Sequence, residues 1–183
     1  MIKNIIGEAI RTRLLEYENN PHGCLMINLD VKAEAWSKLQ AQISDDDISE
    51  GKRDEHPHVT IMNNINEVVP TGAIEEILKD ATPPTIVLDK IGYFSQDDFD
   101  VLKFDIASPD LHKLNQAFQG IPHENEFEGG YHPHASICYL KAGMGPKYAG
   151  RLTTPLIIKP TKIAYSQPND ELVYYDIGKN VAI

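Results

Sequence analysis

The sequence predicts an α+β protein: a bilobal fold of pseudo-twofold duplicated strand-helix-strand units, with mostly antiparallel sheets around a central groove. Three observations predict it. The stretch Glu-His-Pro-His-Val-Thr-Ile at 55–61 returns as Tyr-His-Pro-His-Ala-Ser-Ile at 131–137, with the motif histidines 134 − 58 = 76 positions apart. The segments around it repeat in the same order. Leu-Met-Ile-Asn-Leu-Asp-Val from Leu25 parallels Leu-Lys-Phe-Asp-Ile-Ala-Ser from Leu102, and Lys-Ile-Gly-Tyr-Phe-Ser-Gln from Lys90 parallels Lys-Ile-Ala-Tyr-Ser-Gln from Lys162. Finally, no low-complexity segment or linker separates the two copies, so they are expected to pack as one unit.

Taken in order, Ile2, Ile5, Ile6, Ala9, Ile10 and Leu14 recur at helical spacing, which predicts an amphipathic helix over 2–17. With the turn cluster Asn-Asn-Pro-His-Gly it forms an N-terminal addition, 1–23, ahead of a single bilobal domain over 24–183. The lobes are expected at about 24–98 and 99–177. A strand runs to about Val31, and a helix over 33–43 buries Ala35, Trp36, Leu39 and Ile43. Residues 44–54 are acidic and polar and read as a mobile loop. A short helix at 71–79 is stopped by Pro83-Pro84. Strands at 86–93 and 100–107 follow, joined by the Gln96-Asp97-Asp98 turn. Ser108-Pro109-Asp110 opens a helix to about Phe118, with a capping residue and a proline in its first turn. After an irregular stretch over 120–130 comes the second motif strand, 131–140, then a glycine-rich loop over 141–150. A hairpin of 161–165 with 171–177 ends the repeat.

Composition bounds the function. Hydrophobic residues at 42% and charged residues at 24% are ordinary for a globular protein. No apolar run is long enough to span a bilayer and no signal-peptide pattern opens the chain, so no membrane partner and a cytoplasmic location are expected. Cys24 and Cys138 sit in predicted strands and form no zinc-type pair, so both read as buried thiols. A net charge of −10 argues against duplex nucleic acid, whose binding rests on phosphate neutralisation. Between Gly129 and Asn169, however, there is no Asp or Glu, while Lys141, Lys147, Arg151, Lys159 and Lys162 lie within that stretch. A locally cationic segment in an acidic protein suits a small anionic ligand.

The chemistry rests on His58 with Thr60 and His134 with Ser136. On a strand, side chains two apart share a face, so each motif presents an imidazole beside a hydroxyl. Two imidazoles on opposite sides of one bond can act as base and acid near neutrality. The hydroxyls can donate to phosphate oxygens where charge gathers in the transition state. A lone His-x-Thr is weak evidence; two copies at equivalent places in a repeat are much stronger.

The pair His58-Val-Thr60-Ile and His134-Ala-Ser136-Ile resembles the two signature motifs of the 2H phosphoesterase superfamily. That group includes 2′,3′-cyclic nucleotide phosphodiesterases, 2′-5′ RNA ligase-like proteins and phage enzymes that destroy cyclic nucleotide immune signals, the anti-CBASS type. The resemblance covers about 24–177, and the second half looks particularly like 2H domains in tailed-phage genomes. It implies a bilobal fold, the four motif residues lining a groove, and metal-independent chemistry with no cofactor. Ser136 stands where threonine is more usual, and the hydroxyl is retained. The expected substrate is a small anionic nucleotide, a cyclic oligonucleotide signal or a 2′,3′-cyclic phosphate. RNA end-processing at short RNA ends, or 2′-5′ phosphodiester cleavage, is the nearest alternative.

Two further readings compete. His56 and His132 could join the motif histidines as four imidazoles of a metal-dependent hydrolase, although Pro57 and Pro133 would turn them aside. The chain could instead be a non-catalytic nucleotide-binding lobe or a phage structural module. Beyond the motif residues, Tyr93 and Tyr165, equivalent in the repeat, could stack on a base. Lys141, Lys147 and Tyr148, in the loop after the second motif, could contact phosphate.

Overall fold

The computed structural model describes residues 22–124, 130–168 and 171–178. The helix expected over 2–17 lies outside them. Among the described residues, nine strands and four helices follow in the order β1 (Gly23–Asn28), α1 (Ala33–Gln40), a 3-10 turn (Asp45–Asp47), β2 (Ile48–Arg53), β3 (His58–Ile65), α2 (Thr71–Leu78), β4 (Ile86–Ser95), β5 (Phe99–Asp105), α3 (Pro109–Phe118), β6 (His134–Lys141), α4 (Gly145–Tyr148), β7 (Gly150–Ile158), β8 (Lys162–Ser166) and β9 (Leu172–Asp176). Every pairing between these strands is antiparallel.

The strands form two sheets, in the orders β3-β1-β8-β9 and β2-β6-β5-β4-β7. Under the repeat, β1 matches β5, β3 matches β6 and β4 matches β8. The two sheets therefore show the same core order, motif strand then first strand then repeat-ending strand. The ending strand is exchanged: β4 pairs with β5 of the second copy, and β8 pairs with β1 of the first. The lobes are thus not the segments 24–98 and 99–177, since each sheet takes strands from both. Antiparallel pairing explains it, because β4 leads straight into β5 through a tight turn and the hairpin cannot be divided between sheets.

The helices cross over as well. Trp36 of α1 packs its ring 6.2 Å from that of Phe104 on β5, and Gln40 donates to the carbonyl of Ile137 on β6 at 3.1 Å. Symmetrically, Asn115 of α3 donates to the carbonyl of Ile61 on β3 at 2.8 Å. Ile61 and Ile137 each stand three residues after a motif histidine, so each motif strand is held by a helix from the other copy. Ser108 caps α3 as expected, accepting from the Leu111 amide.

Two elements depart from the sequence reading. Within 44–54, expected to be a loop, β2 pairs with β6 at Ile48 and Arg53. Arg53 secures it by donating to the carbonyls of Gln40 and Ile43 and to Asp45. The strand β7, not expected at all, is an outer strand on β4 whose register breaks between its Leu88 and Lys90 partners. Pro155 lacks an amide and is tolerated there because the strand is at an edge.

One continuous core joins the two sheets, from Leu25, Ile27, Val59 and Ile61 to Phe104, Ala135 and Ile137. Cys24 and Cys138 are buried thiols, and burial pushes the Cys138 thiol up to about 11. Among the described residues no helix is long and apolar enough to cross a membrane.

Candidate active site

Strand alternation places the motif residues. On β3 and β6 alike, His58, Thr60, His134 and Ser136 are partly open, while Val59, Ile61, Ala135 and Ile137 are fully buried. The apolar residue after each histidine and hydroxyl anchors the strand, and the polar partners must then face away from the core.

Each His-Pro-His segment does a second job. The Nδ1 of His58 lies 3.0 Å from the carbonyl of His56, and the Nδ1 of His134 lies 2.9 Å from the carbonyl of His132. A carbonyl can only accept, so both Nδ1 atoms carry the proton and both Nε2 atoms are left as the basic nitrogens. The intervening proline carbonyls are used equally: Pro57 accepts from Leu29 and Pro133 from Ile106. His56 and His132 thus contribute backbone. Their imidazoles line separate recesses, His56 with Asn28, Trp36 and Gln40, His132 with Asp105, His112 and Arg151. Among the described residues no group of three or more His, Cys, Asp and Glu is placed to hold a metal ion.

The two half-sites are joined. The Tyr131 hydroxyl, whose pKa burial raises, donates to the Thr60 carbonyl at 2.9 Å and so ties the second motif to the first. Charge on His58 disfavours charge on His134. The motif strands meet across the seam between the sheets, β3 at the edge of its sheet and β6 inside the other.

The surroundings of the two rings differ. Beside His58 stands Asp54, whose carboxylate accepts from the His56 amide at 2.9 Å and lies 4.0 Å from the His58 Nδ1. Beside His134 the neighbouring strand carries Asp105 opposite His134 and Lys103 opposite Ser136. Lys103 is only 6% exposed, bonds to Asp105, and lies 4.1 Å from the centroid of the Phe94 ring. That ring meets His134 edge-on at 5.1 Å. Burial lowers the His134 pKa; the bond to the His132 carbonyl opposes this, and the charges of Lys103 and His58 add to it. Burial pushes the Asp105 carboxyl up, but bonds from Lys103 and Lys90 outweigh it and hold the group below the ordinary carboxylate range.

The remaining candidates fall elsewhere. Tyr165 is fully buried in the core, its hydroxyl accepting from the Val69 amide and donating to the Glu67 carbonyl, each at 3.1 Å, so it cannot stack on a base. Tyr93 packs on Gly145, on the face of β4 opposite Phe94, so Phe94 is the aromatic residue of the site. Lys147 and Tyr148 are both committed to the Asp47 carboxylate, at 2.6 and 2.5 Å. Lys141 ends β6, seven residues beyond His134, or roughly 23 Å along a strand. Within the cationic segment Arg151 is paired as well, with Asp89 at 2.7 Å. Sequence reasoning missed Phe94, Lys103, Asp105, Asp54 and Tyr131. One signal was present: Lys103 is a cation in an apolar strand where the first copy has Met26.

No protein-family model matches the chain, and no curated protein matches its sequence. Among solved structures it is similar to Usb1 of Kluyveromyces marxianus, with a TM-score of 0.56 and 7% identity over 86% of this chain and 98% of that one. It is also similar to TT0787 of Thermus thermophilus, with a TM-score of 0.55 and 15% identity over 86% and 99% of the two chains. At these identities the likeness is one of fold.

Proposed function

We propose that the protein is a phosphodiesterase that cleaves a small cyclic or dinucleotide phosphodiester by two-histidine acid–base catalysis. The observation that carries this reading is the matched pair of half-sites. In each, a backbone carbonyl holds the Nδ1 proton, leaving Nε2 free beside a hydroxyl two residues on. His134, with a cation beside it, suits the base. His58, with the Asp54 carboxylate at 4.0 Å, has a counter-charge at hand and suits the acid. His134 Nε2 takes a proton from water or a ribose hydroxyl, and that oxygen attacks phosphorus. The bond from phosphorus to the leaving oxygen breaks, and His58 gives that oxygen a proton. Thr60 and Ser136 donate to the non-bridging oxygens.

Two recesses bear on the size of the substrate. Each is lined by the first histidine and the proline of one motif, and they measure about 430 and 400 Å³. Volumes of this order take a nucleoside rather than a long strand, and one on each side fits a diester between two nucleosides, as in a cyclic oligonucleotide signal. RNA end-processing and 2′-5′ cleavage would use the same four residues. Turnover by purified protein of cyclic mono-, di- and trinucleotides, 2′-5′-linked dimers and cyclic-phosphate RNA ends, in the presence of EDTA, separates these. Cleavage of a cyclic nucleotide or dimer supports the reading; turnover of long RNA alone, or none, defeats it.

A further inference from the structure

We propose that Lys103, buried beside Ser136 and clasped by Asp105, is a positioning residue that makes the second half-site the base side of the reaction. The inference rests on the acid–base reading above and adds a cause for its direction. The internal repeat supplies the control. Lys103 and Asp105 on β5 occupy the places of Met26 and Asn28 on β1, where Met26 pairs with Thr60 and Asn28 with His58 just as Lys103 pairs with Ser136 and Asp105 with His134. Met26 is 1% exposed in a small apolar cluster with Cys24 and Ala164. The same fold therefore builds the same strand pair with no charge in it. A buried lysine is costly to hold unless it is paired, and here it is paired with Asp105 and covered by Phe94.

The groups facing His134 are Lys103 and Asp105 from β5, His58 from β3, and the uncharged Phe94 from β4; Lys90, also from β4, reaches Asp105 at 3.0 Å. Lys103 and a charged His58 oppose a proton on His134. Asp105 favours one, but its charge is shared between two lysines. Lys103 thus adds to burial in keeping the ring neutral and ready to accept, while His58 has no equivalent cation because Met26 stands there.

The test is Lys103→Met, with the double variant Lys103→Met/Asp105→Asn, which installs the pair of the first copy. Two readouts are taken: NMR titration of the His58 and His134 imidazoles, and the pH profile of 2′,3′-cyclic AMP hydrolysis. The expected result is cooperative thermal unfolding as in the wild type and an upward move of the His134 midpoint larger than any at His58. kcat should fall about tenfold on the acidic side and recover as pH rises, with KM little changed. An unmoved His134 midpoint, or a loss of turnover equal at every pH, overturns the proposal. Should the wild type hydrolyse no diester, the catalytic reading fails by itself, and the titration still decides whether Lys103 acts on His134.

Discussion

At the scale of single residues, the carbonyl-held rings sort the four histidines. His58→Ala or His134→Ala should lower turnover about 10² to 10⁴-fold, the range for a positioned acid or base. His56→Ala and His132→Ala should lower kcat far less, because their carbonyls hold the catalytic rings while their own side chains reach only the flanking recesses. Assaying one accepted substrate with all four variants, with and without EDTA, checks both the roles and the absence of a metal requirement. The lowered pKa of His134 gives a second expectation. A base must be unprotonated, so the acid limb of kcat/KM should lie below the ordinary imidazole value of about 6.5. A limb at or above it would show that some other group is the base. Tyr165→Phe strands the Val69 amide and should cost about 1 to 3 kcal/mol by denaturant unfolding, with turnover unchanged. The four motif residues were legible because a two-residue period fixes a face wherever alternate neighbours are apolar. Phe94 was not, because Tyr93 has a repeat partner in Tyr165 and Phe94 falls where the copies differ by one residue. Identity across the repeat pointed to the tyrosines, and identity there reports packing.

At the scale of elements, helix α1 holds β6 and helix α3 holds β3 through single amide side chains. Asn115→Ala should cost about 1 kcal/mol for its one bond. Gln40→Ala should cost more, because Gln40 also donates to the Asp54 carbonyl at 2.8 Å. Combining them should impair turnover beyond the stability loss, since both motif strands lose their outside support; thermal melts alongside kcat at a permissive temperature measure the two effects separately. Helices and inner strands were readable from apolar period, and Ser108 from its place before a proline. The strands β2 and β7 were not. Their stability comes from partners, Arg53 on the carbonyls of Gln40 and Ile43 for one and the edge of β4 for the other, and neither segment carries a strand pattern of its own.

At the scale of the whole molecule, the exchange of β4 and β8 means that neither half owns a complete sheet. Chains cut between β4 and β5, near Gln96, should each be unfolded alone by circular dichroism and recover structure only when mixed, whereas two independent lobes would fold separately. The repeat announced two copies but not the exchange, because pairing partners are chosen in space and local patterns are silent about which neighbour a strand will meet. If Lys103 sets the base side as proposed, its mismatch with Met26 gives the two half-sites a polarity. A dinucleotide seated the other way round would then offer its leaving oxygen to an imidazole whose Nε2 carries no proton. It would occupy the cleft uncut, so linkage isomers of one dinucleotide should divide into substrates and competitive inhibitors.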